Sequence, residues 1–256
     1  MFNILDYLDV FMLAFARLGG MIFVNPLFSR RNVPMRARVG LVFALAFVLA
    51  PNLDGQVAAG YNGLETAGAL MRETALGVSF GLVFQIFFYM LFAAGDLMDT
   101  VFGLSMAKVF DPINGLQTTI TGQLLQIVFV LYFFATGSHL VMIKLFAYSF
   151  DVIPVGGYTL LVGEVGNFLL SLFQTAFVLS LKLTLPFVAA EFLVEGTMGI
   201  LMKLIPQIHI FMINMQIKIM VGLALLLLFA QPIGDFVENY LGVLMENMQR
   251  LLTLAS

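Results

Sequence analysis

The chain has 256 residues, of which 61% are hydrophobic and only 11% charged, with a net charge of −3. A soluble domain carries about 25% charged residues, and folded proteins of this size still expose much of their surface, so this composition excludes an ordinary water-soluble globule. The slightly acidic balance offers no footprint for nucleic acid, and the lack of cysteine excludes disulfides and thiolate metal sites.

A spanning helix needs about 20 mostly apolar residues. Apolar segments run at 8–28, 39–53, 75–95, 124–150, 168–205 and 208–231. The first is expected to be retained: Asp6 and Asp9 stand where a signal peptide has basic residues, and Arg17 interrupts the apolar run. The connection that follows carries Arg30, Arg31, Arg36 and Arg38, which the positive-inside rule assigns to the cytoplasmic side. Alternation then puts the N-terminus and the loops 54–74 and 151–166 outside, where Arg72 is the only basic residue, and puts Lys108 and Lys203 inside. With 27 phenylalanines, 16 methionines and no tryptophan, the surface has few interfacial anchors and is expected to face protein over much of its area.

The stretch 95–122 is too polar for a lipid-facing span and too apolar for a solvated loop. Met106, Phe110 and Ile113 bring apolar bulk, Gly103, Gly115 and Gly122 bring freedom, and Asp111-Pro112 breaks a helix. Backbone of this kind is tolerated at membrane depth only inside protein or along a cavity. It reads as a pore constriction, since apolar collars gate by excluding water, or as a re-entrant turn.

From Asn167 to Ile205 no turn composition appears, and a continuous helix of that length reaches roughly 55–60 Å, about twice the hydrocarbon thickness. Pro186 is expected to break or kink it, Pro206 ends it, and residues 208–231 return. The expectation is an all-α membrane protein of long, kinked helical hairpins, packed in an assembly. Glu191, Glu195 and Lys203 share one helical face with Gly199, and Lys182 and Lys218 are candidate partners. This stripe, with Gln207 at the hairpin tip, reads as an inter-subunit salt-bridge seam or as an ion pathway. Arg17 and Lys144 are further charges inside apolar segments. In the tail, Phe236, Tyr240, Leu244, Met248 and Leu251 form an apolar stripe suited to a membrane surface or, preferably, to a partner. The only histidines are His139 and His209, and no zinc-protease or phosphate-loop motif occurs, so neither an enzyme nor a cofactor is expected.

These residues also carry a resemblance. Phe15-Ala16-Arg17-Leu18-Gly19-Gly20-Met21, Asn25-Pro26-Leu27-Phe28 and Val33-Pro34-Met35-Arg36-Ala37-Arg38-Val39-Gly40-Leu41 resemble the start of the FliR/SctT export-gate family. The likeness continues in order through Gly95-Asp96, Asp111-Pro112, Gly137-Ser138-His139-Leu140, Ser149-Phe150, Ile153-Pro154-Val155-Gly156, Leu185-Pro186, Pro206 to Phe211 and Lys218-Ile219. Two departures fall at the hairpin tip: His209 where the family often has Asn, and Met215-Gln216 where Pro often precedes the Lys.

The resemblance implies a FliP-like helical part at 1–162 joined to a FliQ-like hairpin with its tail at 163–256. It implies a non-enzymatic pore subunit of a flagellar-type III export gate in the bacterial inner membrane. FliP-like and FliQ-like subunits would be its partners, with FlhB and FlhA as neighbours, and unfolded flagellar proteins as the conducted substrates. The region of about 105–122 would be the plug, with Met106, Phe110, Asp111, Pro112, Ile113 and Gly115 at the pore. A secondary transporter with Glu191, Glu195 and Lys203 in its site is the competing reading, though no inverted repeat is evident.

Overall fold

A computed structural model of the chain describes residues 4–29, 33–53, 63–106, 119–156, 162–204 and 210–255. The described residues are helical, without strands: α1 (Ile4–Phe23), α2 (Met35–Leu49), α3 (Gly63–Val101), α4 (Ile120–Ala135), α5 (Ser138–Val152), α6 (Val162–Leu204), α7 (Ile210–Leu228) and α8 (Ala230–Ala255). Short 3₁₀ turns follow α2 at Ala50–Asn52 and α3 at Leu104–Met106. Three stretches are long and apolar enough to cross a bilayer: Met35–Asn52, Gly63–Val101 and Gly163–Leu204. Two bent pairs also qualify when each is taken as one span, α4 with α5 at 72° and Ile213–Leu228 with Ala230–Leu254 at 63°.

Several expectations are corrected. The run 124–150 is two helices, because Gly137 takes the left-handed conformation (φ +73°) and turns the chain between Ala135 and Ser138. Helix α3 begins well before residue 75. The segment around Glu65, Thr66, Arg72 and Glu73 is polar but has no helix breaker, so it winds on as the first turns of α3. Of the break or kink expected at Pro186, the break is absent: Pro186 lies inside α6, which runs 43 residues, roughly 65 Å.

The chain forms two compact units. The first comprises Met1–Phe87, Gly137–Phe173 and Gly242–Ser256. In it α1 crosses α3 with backbones touching. A Cβ on Gly20 would lie 2.6 Å from the Val78 nitrogen, and one on Gly77 would collide with the Arg17 carbonyl oxygen. Gly81, four residues after Gly77, accommodates Val24 in the same way, a small-xxx-small spacing suited to close helix contact.

That approach delivers Arg17 to the interior, where it and Glu73 are wholly buried. Arg17 Nε donates to Glu73 Oε2 at 2.5 Å and Nη2 to Oε1 at 3.1 Å. Its Nη1 donates to the carbonyls of Ser149 (2.8 Å) and Ile153 (2.9 Å), at the end of α5. The Gly156 N–H completes the carboxylate at 2.8 Å, and the guanidinium sits 4.4 Å from the Phe150 ring centre. One cation therefore joins α1, α3 and the negative end of the α5 dipole.

The second unit comprises Phe88–Thr136 and Gln174–Leu241. Its core is aromatic. Phe88 meets Phe129 at 5.6 Å, Phe129 meets Tyr240 at 6.5 Å, and Phe187 meets both Phe102 (6.1 Å) and Phe229 (5.4 Å). Helix α8 contributes to both units, Leu241 closing the second and Gly242 resuming the first. Its stripe is buried within the chain itself at Tyr240, Leu244, Met248 and Leu251, which overturns the expectation that it seeks a partner or a membrane surface. Burying it removes exposed apolar area at no cost to the polar face, where Asp235, Glu238, Glu246 and Arg250 stay exposed.

Candidate functional site

Two polar features of the second unit occupy positions singled out by sequence. The first frames the connection 107–118. At its upstream stem, α3 ends at Val101, Gly103 turns the chain with φ +77°, and the Met106 N–H donates to the Gly103 carbonyl at 3.1 Å. Phe102 is fully buried against the face of Gly222, where a Cβ would come within 2.5 Å of the ring. Thr100 and Ser105 hydroxyls lie 3.2 Å apart across the turn.

The downstream stem is the start of α4. The N–H groups of a first helical turn have no partners within the helix. Thr119, at the cap position, contributes no side-chain cap. Asp99 of α3 takes over that role. Its buried carboxylate accepts from the Thr121 N–H at 3.1 and 3.2 Å and from the Thr121 hydroxyl in a short bond, at the positive end of the α4 dipole. Gly95 and Gly122 allow the two helices to approach this closely, because a Cβ on Gly95 would collide with the Gly122 backbone. Both stems are thus fixed by groups already in place. Met106 is 42% exposed at the upstream stem. Phe110, Asp111, Pro112, Ile113 and Gly115 lie outside the described residues.

The second feature lies on the α6–α7 hairpin. Antiparallel pairing puts Lys218 of α7 beside Glu195 of α6, and the two form an ion pair. Lys218 is mostly buried and Glu195 half exposed. Glu191, one turn earlier, is 1% exposed, and neither of its carboxylate oxygens accepts a hydrogen bond among the described residues. The charge of Lys218 attracts it and that of Glu195 repels it. Lys203 is exposed in the last turn of α6 and forms no ion pair among the described residues, so the structure brings together Glu191, Glu195 and Lys218 but not Lys203. Gln207 and His209 lie outside the described residues.

Of the basic loop, Arg30 and Arg31 also lie outside them. Arg36 is exposed at the start of α2, and Arg38 donates to the Val33 carbonyl at 3.0 Å. Sequence reasoning missed the Asp99–Thr121 clamp and the role of Glu73. Asp99 gave a readable sign, an acidic residue with no base nearby in an apolar stretch. Among the described residues, no three or more His, Asp or Glu side chains are grouped to hold a metal ion.

Long apolar helices, backbone-to-backbone crossings and buried charges make this an all-α membrane protein. The chain belongs to the family described as bacterial export proteins, family 1, whose model matches residues 8–243. It is 28% identical over 258 residues to the flagellar biosynthetic protein FliR of Bacillus subtilis strain 168, covering 98% of each chain. Its identity to the protein of the same name from Escherichia coli K12 is 26%, over 92% of this chain and 89% of that one. The Yop proteins translocation protein T of Yersinia pestis is 25% identical, over 84% and 83%.

Proposed function

We propose that this chain is a non-enzymatic pore subunit of a flagellar type III export gate in the bacterial cytoplasmic membrane. It assembles with FliP-like and FliQ-like subunits, beside FlhB and FlhA, and conducts unfolded flagellar proteins. Residues 1–162 act as a FliP-like part and 163–256 as a FliQ-like hairpin with its tail. The names of the relatives supply the export context. The observation that carries the mechanism is the pair of clamped stems. The helix ends on either side of residues 107–118 are fixed by Asp99, Thr121, Gly95 and Gly122. Stems fixed in this way suit a segment that closes a pore at rest and yields to substrate without disturbing the helices. Met106, Phe110, Asp111, Pro112, Ile113 and Gly115 supply the closure.

The hairpin serves assembly. Its apolar exposure at Phe192, Leu193, Ile200, Leu204, Met220, Leu227 and Leu228 exceeds what a solvated surface carries. Glu195 keeps half its side chain exposed beside Lys218 and can meet a cation from a neighbouring subunit, with Glu191 buried one turn behind it. Lys203 and Gln207 extend that seam toward the tip. Arg30, Arg31, Arg36 and Arg38 hold the cytoplasmic side.

A pull-down of tagged chain from solubilised native membranes tests the assembly: FliP-like and FliQ-like subunits should come with it in one stable complex. Charged replacements at Met106, Phe110 or Ile113 should make the closed gate leak small solutes; variants that assemble and stay tight contradict the plug. The second reading, a secondary transporter, draws on the buried, unbonded Glu191. A chain that purifies stably without those partners would favour it.

A further inference from the structure

Away from the pore segment and the hairpin, the first unit carries an apolar groove. Phe11, Met12, Phe15 and Ala16 of α1, Phe43 of α2 and Leu70 of α3 line it, and its volume is about 360 Å³. That is near the lower end of the ~300–1,000 Å³ typical of ligand pockets. Phe11 sets its edge on Phe43 at 5.3 Å, and Phe43 stacks on Phe47 at 6.4 Å. Phe43 and Phe47 are nevertheless 53% and 59% exposed, so something apolar covers this face in the membrane.

The groove has a polarity that limits its occupant. Positions 36, 40, 43 and 47 fall on one face of α2 by helical spacing. Between Arg36 and Phe43, Gly40 leaves open space: a Cβ there would meet nothing within 4 Å. Arg36 is exposed and forms no hydrogen bond or ion pair among the described residues. It stands two turns from Phe43, about 10.5 Å along the axis. The groove is therefore apolar at its lining, with a basic group two turns along α2 from Phe43. An apolar partner helix has no use for that charge; a phospholipid with a negative headgroup does.

We infer that this groove binds an anionic phospholipid, an acyl chain lying against Phe11, Phe15 and Phe43 and the phosphate resting on the Arg36 guanidinium. One basic group near an anionic lipid is worth about a fivefold preference over a zwitterionic one. The site is independent of the pore: it uses no residue of the connection 107–118 or of the hairpin.

The absence of tryptophan makes a direct test available. A Phe47→Trp reporter is placed in the full chain, alone or in the complex in which it purifies, and reconstituted in phosphatidylcholine vesicles. Quenching is then compared between phosphatidylglycerol and phosphatidylcholine, each brominated on its acyl chains. Phosphatidylglycerol should associate about fivefold more tightly than phosphatidylcholine. Arg36→Gln should abolish the preference, and Arg36→Lys should keep most of it. Gly40→Leu should reduce quenching by both lipids by filling the open space. A Leu131→Trp reporter, on an exposed face of α4, should show no preference. Equal quenching with Arg36 intact, or a preference that survives Arg36→Gln, overturns the site. Absence of quenching by either lipid overturns it too, because a protein surface then covers the groove.

Discussion

Glu73 and Glu191 are both buried carboxylates on long apolar helices, 0% and 1% exposed, and the chain treats them in opposite ways. Glu73 accepts two bonds from Arg17 and a third from the Gly156 N–H. Glu191 accepts none among the described residues. Taking a carboxylate out of water costs several kcal/mol unless a partner compensates. The first unit meets that cost within the chain. The second leaves it unmet among the described residues, inside a hairpin whose outer surface is apolar and exposed.

The largest effect that could break this contrast is expected at Arg17. Arg17→Ala strands Glu73 and should cost about 3–5 kcal/mol, read as loss of full-length chain from membranes and gain of protease sensitivity. Arg17→Met combined with Glu73→Leu should recover much of the loss, since an apolar pair of similar volume needs no partner. Wild-type accumulation of the single variant would show that the buried pair is not structural.

Glu191→Leu should raise the melting temperature of the chain, because an apolar side chain needs no partner in that buried place, and should leave retention of partner subunits in a pull-down unchanged. A lower melting temperature, or lost partners, would show that the carboxylate is compensated in the assembly. Asp99→Ala removes the acceptor from the buried Thr121 N–H and hydroxyl, at about 1–3 kcal/mol. A lower melting temperature and faster solute leakage should appear together, with Asp99→Asn intermediate. A melting change without leakage separates the clamp from closure. Smallest of all, Glu195→Gln should cost about 0–1 kcal/mol, because its ion pair is half open to solvent. Melting at low and high salt checks this: the difference between variant and wild type should shrink as salt rises.

Much of this was legible from local pattern. The unbroken apolar run after Asn167 gave the long helix, the tail spacing gave an amphipathic helix, and helical periodicity put Glu191 and Glu195 on one face. What sequence left unseen depends on distant approach. Arg17 pairs with a residue 56 positions away, and only the Gly20–Gly77 crossing brings them together. Asp99 and Thr121 are polar residues in an apolar stretch, yet the bond between them exists because Gly95 and Gly122 admit backbone contact. Gly137 lies inside the apolar run 124–150, and only its positive φ shows that the run divides into α4 and α5. At Pro186 propensity allows a break or a kink; the helix is unbroken there, and the next residue, Phe187, packs on Phe102 and Phe229.

The clamp also makes one acid serve two helix ends. Asp99 lies in the last turn of α3 yet caps the first turn of α4, so the end of one helix and the start of the next are held as a single corner. An extra residue in either helix beside that corner would separate Gly95 from Gly122 and undo the cap on α4. The register of the two helices is therefore set by one carboxylate and two missing side chains, and a change at any of the three is felt at both ends of the corner.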